Sequence, residues 1–461
     1  MDILIAVFMY ATFLIGTGLY FYKKTHSASD YLFSNRSLNY WVTAISAQAS
    51  DMSSWLFLAL PGAIYQRGLF EAWFVLGLIV FMYLNWHFVA PKLRLATANL
   101  SSITLPSYFA HQLKDKTGRL QIVSTIVSLF FFLMYIASGL VALGRLFQVF
   151  GIPYRLGMSA GIAVSLIYTL FGGLSAVAWS DLFQGLFLLI IIVIVPIKAF
   201  FSLKTGSFPI ATVGQGLNQL IPDWSVATLG TIAATLFSWG PGYFGQPHIL
   251  INFMTIDNPK NINKAKAVGI SWQIICLFAG ITSGLVGLAY FGKHLADPEL
   301  VFIQMSQAMF NPFVVGFVLC AILAATISTL NTQIIVAAAA LTSDVYQKFI
   351  NQKASQRKLL QASRLTTILL PLIGYLIALN NTDSIFKLVN YAWSGLGSAF
   401  GPLVVASLYT NRITTNTAMI SIIAGALISG LWPLVPSTLS PLLPGFTASS
   451  IVLLIGIIHK K

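Results

Sequence analysis

Ala47-Gln48-Ala49-Ser50-Asp51-Met52-Ser53-Ser54-Trp55 lies in the middle of an otherwise apolar stretch, residues 40–65. A second apolar stretch, 226–254, is interrupted by Ser238-Trp239-Gly240-Pro241-Gly242-Tyr243-Phe244-Gly245-Gln246-Pro247-His248. The first interruption carries a carboxylate near mid-span and is followed by Pro61-Gly62. The second holds two prolines and three glycines, which do not sustain a continuous helix. Both stretches have the length of a membrane span. Non-helical backbone at membrane depth survives only where it is packed in protein or lines a cavity. The two interruptions therefore point to one cavity inside a membrane bundle.

The rest of the chain agrees. Of 461 residues, 57% are hydrophobic and 8% charged, with a mean hydropathy of +0.82; a water-soluble fold of this length would need far more charge. The formal charge of +14 comes from 26 Lys and Arg against only 12 Asp and Glu. It reflects scarce acids, and no basic run alternates with aromatics as a nucleic-acid groove requires. A core about 30 Å thick needs roughly 20 residues per helix, and that ruler finds about thirteen spans. They are 3–22, 40–65, 69–91, 121–150, 154–174, 176–202, 226–254, 266–292, 311–347, 361–380, 384–410, 414–435 and 442–459. The fold class expected is an all-α polytopic membrane protein. The first span lacks a small-residue cleavage site and reads as a retained helix.

Positive charge is held on the cytoplasmic side. Lys and Arg cluster in alternate connections, at 23–36, 92–94, 114–119, 260–266, 348–364, 412 and 460–461. This predicts an outside amino terminus and a cytoplasmic carboxyl terminus in the cell inner (plasma) membrane. Residues 40–202 and 226–410 each hold five spans, so the second group must run inverted relative to the first. Broken helices at equivalent places in two inverted repeats are where a midplane site forms. Residues 1–39 then form an extra helix and loop, and 411–461 two further helices, all within a single transmembrane domain over 1–461.

Asp51 reads as the only acid well inside the hydrocarbon layer, where a carboxylate marks function by default. It can also cap the second half-helix through backbone N–H groups. In the ninth span Ser328 and Thr329 are adjacent hydroxyls. With carbonyls freed near Ala49 and Met52, they offer neutral oxygens suited to a monovalent cation more than to a divalent one. Trp239, Tyr243 and mid-span Tyr135 are aromatics placed to cage an apolar ring and face an ammonium group. The GxGxxG at 240–245 has no βαβ unit around it and carries no nucleotide signal. The histidines lack ligand spacing, the reading of His248 near a break is structural, and Cys276 and Cys320 read as small buried side chains. No hydroxyl or thiol nucleophile stands beside a base, so an enzyme is not expected.

ASDMSSWLFLALPGA within 44–63, GGLSAVAWSDLFQG at 172–185, WGPGYFGQPHIL at 239–250 and AILAATISTLNTQ at 321–333 resemble the sodium:solute symporter family, most closely its sodium/proline symporters. The resemblance runs through essentially the whole chain. It implies a LeuT-like 5+5 inverted repeat with one extra helix before and two after. It also implies sodium ligands at the carbonyls of Ala49, Met52 and Ala325 and the hydroxyls of Ser328 and Thr329, with Asp51 as the acid that sodium-dependent uptake needs. Solute contacts would fall on Ser53, Trp55, Tyr135, Trp239, Tyr243, Gln246 and Pro247. The expectation is sodium-coupled uptake of a small zwitterion, L-proline first, by alternating access. Alternatives are sodium- or proton-coupled symport of another small amino acid or carboxylate, and a solute-binding membrane sensor.

Overall fold

The structure, a computed structural model, describes residues 2–23, 25–149, 151–203, 219–379 and 384–459. Lys24, Lys204, Lys460 and Lys461, and the last residues of the spans expected at 121–150 and 361–380, lie outside them. The described residues form helices and contain no strand.

In chain order the helices are α1 (Asp2–Tyr22), α2 (Ala28–Phe33), α3 (Tyr40–Met52), α4 (Ala59–Arg67), α5 (Ala72–Leu84), α6 (Ala90–Asn99), α7 (Leu105–Gln112), α8 (Arg119–Gln148) and α9 (Tyr154–Phe201). There follow α10 (Val226–Phe237), α11 (Pro247–Thr255), α12 (Ile262–Phe291), α13 (Val301–Met309), α14 (Pro312–Ala339), α15 (Gln356–Ala378), α16 (Ile385–Tyr409), α17 (Thr415–Leu431) and α18 (Leu442–His459). Among the described residues, nine helical stretches are singly long and apolar enough to cross a membrane. Lipid-facing positions along them stay apolar and exposed, for example Phe8, Phe278 and Leu376, as hydrocarbon solvent permits.

Two departures from the expected spans have physical causes. The span expected at 69–91 runs on to Asn99, because a π turn at Asn85–Val89 carries α5 into α6 without a gap. The break in the span expected at 40–65 falls within the polar run, next to the carbonyls of Ala49 and Met52: α3 stops at Met52, Ser53 takes φ 33° and ψ −165°, and a 3-10 turn at Ser54–Leu56 precedes α4. Pro61 sits in the first turn of α4, where a missing N–H removes no intrahelical bond.

The spans expected at 154–174 and 176–202 are joined without a loop, as the two limbs of α9. Run straight, its 48 residues would extend about 72 Å at 1.5 Å per residue. They fold back at Gly173, whose φ of 58° favours glycine. Ser165 and Asp181 are sixteen positions apart in α9, yet they hydrogen-bond to Asn331 and Ser328, neighbours within one turn of α14. Only a hairpin brings them together. A Cβ at Gly173 would fall 2.3 Å from the Tyr31 carbonyl oxygen, so the reversal is also packed shut.

The basic connections gather at one end of the bundle. There the Arg36 guanidinium donates to the carbonyls of Met254 at 2.8 Å, Thr97 at 2.9 Å and Ser102 at 3.1 Å. Arg94 donates to Ile256 O at 2.8 Å. Backbone bonds join Leu38 to Thr255 and Asp257 at 3.2 and 2.8 Å. Burial beside Arg94 pushes Arg36 down to about 10, still charged at neutral pH. These bonds tie the start of α3 to the end of α11 and close that end. The opposite end opens into a vestibule of about 1020 Å³. Its walls include the starts of α5 and α16 and the 432–441 loop, and Trp239 forms part of its lining.

Candidate functional site

Where the two broken spans meet, each break is held by the other's neighbours. Ser53 N–H donates to Thr329 Oγ1 at 3.1 Å. The same oxygen lies 3.3 Å from Ala49 O and 3.2 Å from Ala325 O, between which its single proton is shared. Thus four expected residues, Ala49, Ser53, Ala325 and Thr329, converge, because the last turn of α3 and the middle of α14 pack directly. Met52 is fully buried at the end of α3. Three of these groups present oxygen atoms with no formal charge, the donor set that suits a monovalent cation.

Ser328 turns the other way. Its hydroxyl donates to Asp181 Oδ1 at 2.6 Å, and Ser46 donates to Oδ2 at 2.6 Å. Asp181 is fully buried, as is Asp344, which accepts from Thr104 and Gln121. Asp51 is therefore not the only buried acid. Asp181 is the sixth residue of the span expected at 176–202; the hairpin at Gly173 packs it against α3 and α14. The signal that could have found it was the run 172–185 itself, in which a carboxylate stands among small and apolar residues with no nearby base.

Asp51 joins the two breaks to each other. Tyr243 Oη donates to its Oδ2 at 2.6 Å, and Gln273 donates to Tyr243 Oη at 3.0 Å. Hydroxyl-to-carboxylate bonds this short belong to the stronger class. The Trp55 indole donates to Asp51 O at 3.2 Å, satisfying a carbonyl freed by the break. Asp51 also lies 200° around a helix from Ala49 at 100° per residue. Its carboxylate is thus committed to the second break, with the Ala49 carbonyl side left to Thr329.

The second break is a 3-10 segment at Gly240–Gly245, packed against α16. The Trp393 indole donates to Trp239 O at 2.9 Å, and Gln246 Nε2 donates to Trp393 O at 3.0 Å. A Cβ on Gly245 would meet Gly401 N at 2.5 Å and Leu396 O at 2.8 Å, so α16 approaches closer than any side chain permits. Pro247 opens α11, where its missing N–H is not needed.

The expected solute contacts divide into two groups. Ser53 and Tyr135 border a void at the first break, together with Ser54, Thr329, Gln333 and Val389; its free volume is about 10 Å³, room for one water-sized sphere. Trp55 and Trp239 form a layer above it, their ring centroids 6.0 Å apart, with Trp239 packed on Phe386 at 5.3 Å and Trp393 at 6.0 Å. Trp239 faces the vestibule. Tyr243, Gln246 and Pro247 do not border the void. They hold the second break to Asp51 and α16. Trp393, which no motif singled out, is the hub of that packing. The arrangement is a small void at the first break, walled also by α8, α14 and α16, with one end of the bundle clamped and the other open down to an aromatic layer.

A bundle of this kind defines a multi-pass membrane transporter with broken helices at its centre. Residues 31–425 match the model of the sodium:solute symporter family, and the chain belongs to that family. It is 38% identical to the osmoregulated proline transporter OpuE of Bacillus subtilis strain 168, over 100% of this chain and 95% of that protein. It is also 38% identical to the sodium/proline symporter of Escherichia coli K12, covering 96% of this chain and 90% of that protein. Among solved structures it resembles a Na+-coupled sialic acid symporter in a substrate-bound outward-open state, at 18% identity and TM-score 0.84, covering 99% and 98% of the two chains. It resembles MhsT in complex with L-phenylalanine at 13% identity and TM-score 0.59, covering 91% and 98%. These two likenesses speak to the all-helical, LeuT-like fold.

Proposed function

We propose that the chain performs sodium-coupled uptake of a small zwitterionic solute, L-proline, by alternating access. The observation that carries this reading is the convergence on Thr329 of the Ala49 and Ala325 carbonyls and the Ser53 backbone. Such a group of neutral oxygens fits sodium, and its position makes the ion a tie between the first broken span and α14. Full-length relatives named for proline transport support the solute.

The proposed fold has thirteen spans. Beside the nine helical stretches stand the second limb of α9, the two broken spans and α16. In each of the repeats 40–202 and 226–410 a broken span comes first, and a short helix, α7 or α13, follows the second span. That parallel order supports inverted repeats, preceded by 1–39 and followed by 411–461. The clamped, basic end is taken as cytoplasmic, which leaves the vestibule outside and the amino terminus outside.

Sodium would be held by Ala49 O, Met52 O, Ala325 O and Thr329 Oγ1, with Ser328 Oγ joining them on turning from Asp181 Oδ1. Asp181 supplies a carboxylate one hydrogen bond behind Ser328, and Asp51 holds the first break to the second. Trp55, Trp239 and Tyr135 would enclose the solute ring. Its carboxylate would meet the N-terminal end of the second half-helix near Ser53 and Ser54, where helix dipoles favour anions. One charge moving across ~100 mV contributes roughly 2.3 kcal/mol, and a tenfold sodium gradient about 1.4 kcal/mol. One ion per neutral solute would then sustain about 500-fold accumulation. Coupling requires that sodium bind the two access states unequally.

Radiolabelled proline uptake into proteoliposomes tests this. Uptake driven by an inward sodium gradient is expected. Uptake indifferent to sodium and following a proton gradient would overturn the ion assignment, and better competition by another amino acid or a carboxylate would reassign the solute.

A further inference from the structure

The void at the first break has polar groups on its walls, and four of them are already used. Ser53 Oγ accepts from Trp55 N–H at 3.3 Å, Ser138 Oγ donates to Tyr135 O at 2.6 Å, and Thr326 Oγ1 donates to Ile322 O at 2.8 Å. Thr329 is occupied as described above. Two of the lining residues stand apart: Tyr135 Oη and Gln333 Nε2 are buried and have no hydrogen-bond partner among the described residues. Their side chains are 2% and 1% exposed. A buried donor left unmade costs about 1–3 kcal/mol, and such groups in a folded chain call for a physical reason.

The chemistry of the pair indicates what it awaits. The Gln333 amide nitrogen can only donate, and the Tyr135 hydroxyl has a proton to give. They come from two different helices, α14 and α8, and reach the same void. No Lys or Arg borders it, so an anion there would be received by neutral donors. A ligand with two acceptor oxygens on one carbon satisfies both at once.

We propose that Gln333, together with Tyr135, receives the carboxylate of the solute. This rests on the reading of the chain as an amino-acid symporter and adds Gln333 as a specificity-determining contact. Gln333 stands one turn beyond Thr329, which stands one turn beyond Ala325. Residues four apart share a helix face. One face of α14 thus presents two ion contacts and then the carboxylate contact, about 6 Å further along the axis.

The test compares L-proline with L-prolinamide, which replaces one carboxylate oxygen by an NH2 group, as competitors of radiolabelled proline uptake by the full chain in proteoliposomes. The wild-type chain should prefer proline strongly. Gln333→Met, similar in length but without a donor, should weaken proline by about tenfold or more and prolinamide by less than about threefold. Tyr135→Phe should show the same selective loss, and Gln333→Glu a larger one, since it sets a carboxylate against a carboxylate. The sodium concentration for half-maximal uptake at saturating proline should stay close to the wild-type value in Gln333→Met. Equal losses for both competitors, or unchanged proline recognition, would overturn the proposal. So would a wild-type chain that does not distinguish acid from amide, a measurement that stands whether or not any variant folds. Sodium-driven proline uptake by the wild-type chain that persists alongside such a result separates failure of this inference from failure of the functional reading.

Discussion

The two breaks at the centre of the bundle are made in opposite ways. The second is written in its residue types: Gly240, Pro241, Gly242, Gly245 and Pro247 forbid a regular helix wherever they are placed. The first contains neither glycine nor proline between Ala47 and Leu60. It is broken at Ser53, in a backbone region that non-glycine residues avoid, and is held there by Thr329 from a helix far away in sequence. A break imposed from outside is one that a change at its partner can release or tighten. A break fixed by its own residues is a rigid floor.

The largest effect should come from violating the rigid break. Gly245→Ala drives a Cβ into the backbone of α16, where no side chain can move aside. Overpacking of this kind costs about 1–3 kcal/mol or more, and the expected result is a lower melting temperature together with lost uptake. A stable, active Gly245→Ala chain would show that the floor is not rigid.

Thr329→Val comes next and addresses the imposed break. It keeps the shape and removes the oxygen that meets Ser53 N, Ala49 O and Ala325 O. Loss of one well-placed hydrogen-bonding group is worth about 1–2 kcal/mol. The sodium concentration for half-maximal uptake should rise about tenfold or more, with proline recognition at saturating sodium much less changed. Equal losses in both would remove Thr329 from the ion contacts.

Tyr243→Phe cuts the bond between the breaks and leaves the Asp51 carboxylate without its hydroxyl donor. A lost hydrogen bond to a charged group costs about 1.5–3 kcal/mol, partly offset by water entering the site. Slower uptake at near-normal expression is expected, measured as maximal rate in proteoliposomes. An unaltered rate would mean that Asp51 does not depend on the second break.

The smallest change is expected for Ser53→Gly. Glycine relieves the positive φ, which stabilises by up to about 1 kcal/mol, while loss of the Oγ cap on Trp55 costs a few tenths. Thermal stability should therefore move little. A large loss would show that the serine side chain, rather than Thr329, makes the first break.

Much of the site was legible because membrane physics leaves few exceptions. A polar run or a proline cluster inside an apolar span has to be accounted for by a cavity or by packing on protein; the first break borders the void, and the second is packed against α16. The family resemblance then attached roles to Ala49, Ala325 and Thr329, which do lie together. Asp181 escaped because its depth depends on the fold-back at Gly173. In the sequence that glycine is one of an adjacent pair in a long apolar run, and nothing local says that the chain reverses there. Gln333 escaped for a related reason. A glutamine in a helix is unremarked until its neighbours prove to be satisfied and it does not.

By itself the sequence determined the all-helical, membrane-spanning class, the position of the second break and the collection of positive charge at alternate connections. These follow from apolar length, from glycine and proline geometry and from the cost of moving charge across lipid. Only the tertiary structure decided the rest. It held the first break at Ser53 through Thr329, turned Ser328 toward Asp181, bound Asp51 to Tyr243 and left the Gln333 amide nitrogen buried without a partner among the described residues. Each of these depends on a partner supplied by a distant helix, and hydrogen bonds across a packed interface are fixed by where the helices meet.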